Sequence, residues 1–207
     1  MGDEDSEPSG MDTPWWPKPN DVVFQAGQEC WENARFDFPP DWRLDFYAGG
    51  YREAADIVVE RIAQTRQSPN LLIYPIVFLY RHSLELRLKH LIGLCHELLH
   101  ELHDVQCLHR LDVLWDSYRK ILERVYPGWK SATLDAVESS IKRLSQIDPQ
   151  SMSFRYPTAK NGSATLPAVG PFSVTNLRDV MGRILEFLEC TMEDVSARLD
   201  EMKYGPR

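Results

Sequence analysis

Several features are absent from this chain of 207 residues, and each absence excludes a class of protein. No glycine-rich loop follows a strand-like segment, so a phosphate-cradling nucleotide fold is excluded. Nothing alternates strands with helices, and no internal repeat recurs. The longest apolar run, Leu71 to Tyr80, contains Pro75 and ends at Arg81. It falls well short of the roughly 20 residues a membrane-crossing helix needs. The N-terminus has no apolar core of a secretory signal and is acidic instead. Met1-Gly2 with Ser6 matches a bare myristoylation pattern, but acidic residues follow and no second membrane cue supports it. Basic charge is also scarce: the net charge is -8, which disfavours a general electrostatic grip on nucleic acid. The four cysteines, Cys30, Cys95, Cys107 and Cys190, show no CxxC spacing. They read as reduced thiols of a cytoplasmic protein.

What is present reads as helix. Residues 1–20 are acidic and then proline-rich, and are expected to form a disordered tail. Residues 21–207 are expected to form one domain. In YREAADIVVERIAQT, Ala54, Ile57, Val58, Arg61 and Ile62 recur at three- and four-residue steps, which predicts a helix from about Leu44 or Gly50 to Gln67. Further helices are predicted over about Leu71 to Leu102, Leu108 to Val125, Ser131 to Ile147 and Val174 to Met202. Pro75 is tolerated in the first turns of the second helix. The stretch before the last helix is expected to be a loop or a small hairpin turning at Asn161-Gly162. Five helices with short connections give an all-α, up-and-down bundle.

Chemistry-bearing residues concentrate in the second helix. Five of the six histidines lie between His82 and His103, and His109 follows. On a helical wheel Val77, Leu84, Leu88, Leu91, Cys95, Leu98 and Leu99 fall on one side. His82, Glu85, Lys89, His96 and His100 fall on the other, with Arg81 at the boundary. Arg81, Glu85 and Lys89 form an i, i+4, i+8 ladder suited to ion pairing. The plain reading is a solvated, salt-bridged face, on which Lys89 would be hydrated. The functional reading is a polar seam of Arg81, His82, Glu85 and Lys89 that lines a cleft or a dimer interface, with Arg81 and Glu85 preorganised for an anionic ligand. Arg155, between aromatics in SFRYP, is a further candidate: an arginine so placed stacks or anchors its loop.

The same helix holds HELLH, His96 to His100. One turn apart on a helix, His96 and His100 would both reach a zinc ion and Glu97 would polarise its water. Glu101, however, is charged where metalloprotease helices carry an uncharged residue. The only nearby third ligand is His103, three residues after His100. The pattern is therefore read as a decoy, with no metal and no cofactor assigned. The segment HRLDVLW reads as a helix start with a Leu/Trp core face.

Taken together, YPIVFLYRHSLELRLKHLI, HRLDVLW and SFRYP resemble an uncharacterised group of bacterial helical proteins. Their bundle is similar to HEPN domains, an all-α fold of toxin, antiphage and RNA-processing systems. The resemblance covers about residues 44–200. It implies a HEPN-like binding or accessory module, with a protein partner or a second copy of the chain, and RNA or a nucleotide as a further ligand class. Active ribonucleases of that family carry Arg, four to six residues, then His. No arginine here has a histidine at that spacing. Arg81 to His90 and Arg87 to His96 are too long, and Arg87 to His90 is too short. Two alternatives follow: a divergent, metal-independent ribonuclease using Arg81, His82 and Arg155, and a zinc hydrolase using His96, Glu97 and His100.

Overall fold

The computed structural model describes residues 18, 20–36, 39, 43–102, 108–166 and 169–205. The tail expected over residues 1–20 lies outside them except for Lys18 and Asn20, and so do His103 and Cys107. The chain forms two compact units, Met1–Phe38 and Pro39–Arg207. In the first, a 3-10 turn spans Cys30–Glu32. There the Asn33 side chain closes a small loop, accepting from the Gly27 N–H at 2.8 Å and donating to the Gly27 and Glu29 carbonyls.

The second unit contains five α-helices, and no strand is present among the described residues. Helix α1 (Arg43–Thr65) buries a narrow stripe of Ala48, Ala55, Val59 and Ile62. The small Ala48 and Ala55 allow close approach to α2 (Ile73–Leu98), where Ser83 Oγ donates to the Ala48 carbonyl at 2.7 Å. Pro75 is the third residue of α2, where its missing N–H has no intrahelical acceptor to lose. Helix α3 (Leu111–Val125) buries Leu111, Leu114, Trp115, Tyr118, Ile121 and Leu122, one continuous stripe at helical period. Helix α4 (Ala132–Ile147) starts at Ser131, whose hydroxyl accepts the Thr133 N–H at 3.1 Å. Helix α5 (Val174–Tyr204) is capped by Ser173, which accepts the Asn176 N–H at 3.2 Å.

Helix α2 is the central element: α1, α3 and α5 all pack on it, while α4 packs on α3. This arrangement overturns one expectation. Of the two readings of the polar face, the solvated one fails at Glu85 and Lys89, which are buried together with boundary Arg81 and with Arg87. A helix wrapped by three others has little free face, so its charged residues must be paired inside the protein.

Two other expectations are adjusted. Helix α2 ends at Leu98 rather than Leu102. The Leu99 N–H still bonds to the Cys95 carbonyl, but His100 has φ 57° and turns the chain away. The small hairpin reduces to one antiparallel bridge, Thr158 to Ala164, around Gly162 at φ 82°. The positive φ at Gly162 makes the turn tight, but no strand flanks the bridge among the described residues.

Candidate functional site

The Arg81, Glu85, Lys89 ladder forms as its spacing predicts, but inside the protein. Arg81 Nη1 donates to Glu85 Oε2 at 3.1 Å, and Lys89 Nζ donates to Glu85 Oε1 at 3.0 Å. The Arg81 side chain is 0% exposed and that of Glu85 1%. A second carboxylate comes from Asp148, the residue that ends α4, with Oδ2 3.2 Å from Arg81 Nε. These two atoms face each other off the line of a hydrogen bond, so the contact is an ion pair only. Arg81 Nη2 completes the set by donating to the carbonyls of His109 at 2.9 Å and Asp148 at 3.4 Å. Two cations thus meet two carboxylates.

Burial pushes the Glu85 carboxyl up, but the hydrogen bonds from His109 and Lys89 and the charges of Lys89 and Arg81 outweigh it. The group is held below the usual carboxylate range. Burial also pulls the Arg81 guanidinium down, against Asp148 and Glu85. A guanidinium remains charged in a protein, so Arg81 acts here as a fixed cation.

One member of the cluster reaches water. His109 Nδ1 lies 2.9 Å from Glu85 Oε1, while its side chain is 63% exposed. Its main-chain carbonyl and its ring are therefore both held by α2, through Arg81 and Glu85. The sequence reading missed His109 as part of the cluster and missed Asp148 entirely. His109 read as the start of a core helix. Asp148 lies 67 residues from Arg81, with no local pattern linking them.

A second layer is built on Asp148. Its Oδ1 accepts the N–H groups of Met152 at 2.8 Å and Ser153 at 2.9 Å, folding the loop after α4 into a tight turn with Ser151 at φ 61°. The turn returns Arg155, whose Nε donates to the Ser151 carbonyl at 2.6 Å. The guanidinium then lies 5.6 Å from the ring centroid of Phe78 and 5.9 Å from that of Tyr156. Phe78 and His82, one turn apart on α2, stack at 5.6 Å with 9° between planes. Tyr51 of α1 meets the His82 edge at 4.6 Å, and Tyr47 follows at 6.5 Å. Burial lowers the His82 imidazole below its ordinary value, with Glu85 opposing and the cations Lys89, Arg81 and Arg155 assisting. His82 is therefore a neutral ring at pH 7.

The sequence candidates thus separate into two groups. Arg81, Glu85 and Lys89 form the buried cluster. His82 and Arg155 belong to the aromatic layer. Lys89, expected to be hydrated, has a side chain only 8% exposed. The HELLH residues join neither group. His96 Nδ1 lies 3.1 Å from Glu101, and Glu97 lies 2.7 Å from Lys203 Nζ. Because α2 stops at Leu98 and His100 is left-handed, the two histidines do not share a helical face. Among the described residues, no group of three or more His, Cys, Asp or Glu is gathered for a metal.

A separate polar network joins α1, α2 and α5. Buried Arg87 pairs with Asp45 and, at 2.9 Å, with Glu189. Arg52 also reaches Glu189 at 2.9 Å, and Tyr80 Oη donates to Asp56 at 2.5 Å. An open cleft of about 370 Å³ beside it is lined by Arg52, Arg178 and Arg183 and by Asp56, Asp179 and Glu186. Its charges balance in sign, which fits helix cross-linking better than capture of an ion. No helix of the described residues is long and apolar enough to cross a membrane.

No protein-family model, curated protein or solved structure matches the chain.

Proposed function

We propose that residues 43–205 act as a HEPN-like helical binding module, an accessory component of a bacterial defence or toxin–antitoxin system, working in the cytoplasm. The observation that carries this reading is the division of labour around Arg81. In the cluster the buried cations Arg81 and Lys89 are paired with the carboxylates of Glu85 and Asp148. Its Asp148 in turn fixes the loop that holds Arg155 against an aromatic face. Such an arrangement supports a preorganised contact surface, in which the cluster positions and the aromatic layer recognises. A buried charge cluster is costly to form, and in this module its role would be to fix one geometry of the loop.

A protein partner is the ligand class this surface suits best, since tyrosine and arginine together carry much of the energy at protein interfaces. The test is co-expression with the products of neighbouring genes. A stoichiometric complex with one of them, lost in Arg155→Glu at unchanged melting temperature, is expected. A complex indifferent to Arg155→Glu would remove the surface from the proposal. Failure of every neighbour to bind would remove the module reading.

One observation favours the ribonuclease alternative in altered form. Arg81 is fully covered, so it does not reach a phosphate in this conformation. The exposed imidazole of His109, oriented by a buried carboxylate, is the group of the cluster open to a reactant. Cleavage of a labelled RNA by the purified chain, abolished in His109→Ala, would establish that alternative.

A further inference from the structure

Resting on the binding-module reading, we infer that the aromatic layer takes an acidic peptide segment, with one carboxylate on Arg155 and an adjoining apolar or aromatic side chain against Tyr156, Phe78 and Tyr51. Three features of the layer converge on this.

The first is the state of Arg155. Among the described residues it forms no ion pair, although carboxylates outnumber cations in the chain, 31 to 23. It is nevertheless fixed at three points: the Ser151 carbonyl, Met152 Sδ at 3.0 Å and the face of Phe78. A guanidinium fixed without a counter-ion is preorganised for a carboxylate, because the side-chain entropy of pairing is already spent and its planar donors match the anion.

The second is the frame. Tyr47 is 53% exposed, Tyr156 51% and Met152 41%, and each touches this layer through a ring or sulfur contact. A small free anion would leave that apolar frame unused. A peptide covers it and removes water from around the ion pair, which strengthens the pair.

The third is what the layer lacks. Its members are Tyr47, Tyr51, Phe78, His82, Met152, Arg155 and Tyr156, and none is a carboxylate. A second copy meeting the same face across a two-fold axis would bring two guanidinium groups together without an acid. A nucleic-acid strand would need several cations along its path, and Arg81 and Lys89 are turned inward and neutralised.

The test is panning of a displayed library of random peptides on the immobilised full-length chain, with sequencing of the enriched pool. In parallel it is run on Arg155→Met, on Tyr156→Ala and on Arg143→Met as an exposed control on α4. The expected pool is rich in Asp or Glu beside aromatic or large aliphatic residues. Enriched peptides made synthetically should bind about tenfold or more weakly to Arg155→Met, or when their acid is changed to the amide. Binding to Arg143→Met should match wild type, and Arg155→Lys should restore only part of the loss. A neutral apolar pool that is lost in Tyr156→Ala but kept in Arg155→Met would overturn the acidic assignment while leaving the module reading. No enrichment, or a pool unchanged across all variants, would overturn the acidic-peptide assignment, while the co-expression test decides the module reading separately. Sedimentation of the free chain as a dimer that Arg155→Met dissociates would assign the face to a second copy instead.

Discussion

Arg81→Ala should destabilise this protein more than any other single change in the buried cluster. The guanidinium it removes is fully covered and serves two carboxylates and two carbonyls. Its loss orphans Glu85 Oε2, the Asp148 carboxylate on its Oδ2 side, and the His109 and Asp148 carbonyls. Partial compensation remains, since Glu85 keeps Lys89 and His109, and Asp148 Oδ1 keeps two backbone N–H groups. Breaking a buried ion pair by removing one partner costs about 3–5 kcal/mol. The cavity left by a large covered side chain places Arg81→Ala toward the upper end. For a domain of this size that corresponds to a fall in melting temperature of roughly 6–20 °C. Lys89→Ala removes one charge-assisted bond from Glu85, worth about 1.5–3 kcal/mol. Lys89 is buried, so its cost is that of the charge-assisted bond withdrawn from Glu85 and not of hydration. Urea unfolding followed by helical circular dichroism at pH 7, with equal slopes for the variants, gives both values. An Arg81→Ala cost below about 1 kcal/mol, or a larger cost for Lys89→Ala, would refute the argument that this cluster orders the loop.

Stability should fall on acidification in two stages. Burial lowers the His82 and His90 imidazoles, and His90 Nδ1 is buried with no hydrogen-bond partner. The unfolded chain therefore binds protons first, and stability drops as pH falls through the ordinary histidine value of 6.5. Glu85, held below its ordinary value of 4.5, adds a second loss as pH falls below that value. Urea midpoints from pH 8 to 3 would show both, and a flat profile between pH 7.5 and 5 would contradict the first. Dialysis against a chelator should leave the melting temperature unchanged, with well under one zinc per chain by elemental analysis. One zinc per chain lost in His96→Ala would reverse this. The Cys95 thiol, pushed up to about 12 by burial, should resist alkylation in the native protein while exposed Cys30 and Cys190 react. Peptide mapping with rapid native labelling of Cys95 would show that the α2–α3 packing opens readily.

Much of the fold was legible because helix signals are local. The apolar steps in α1, α3 and α5 and the breakers Ser68-Pro69, Tyr126-Pro127-Gly128 and Asp148-Pro149 act within a few residues. The Arg81, Glu85, Lys89 ladder was legible for the same reason, being a property of one helix. The HELLH pattern misleads because a spacing has meaning only while the helix continues, and α2 stops at Leu98.

By itself, then, the sequence determined the helices, their order and the pairing of charges one turn apart. Tertiary structure decided which of those charges are buried, because burial of α2 depends on three other helices closing round it. It also brought Asp148 to Arg81, His109 to Glu85 and Arg155 to Phe78. Those contacts join segments far apart in the chain, so no local pattern of residues encodes them, and they form only when the bundle packs.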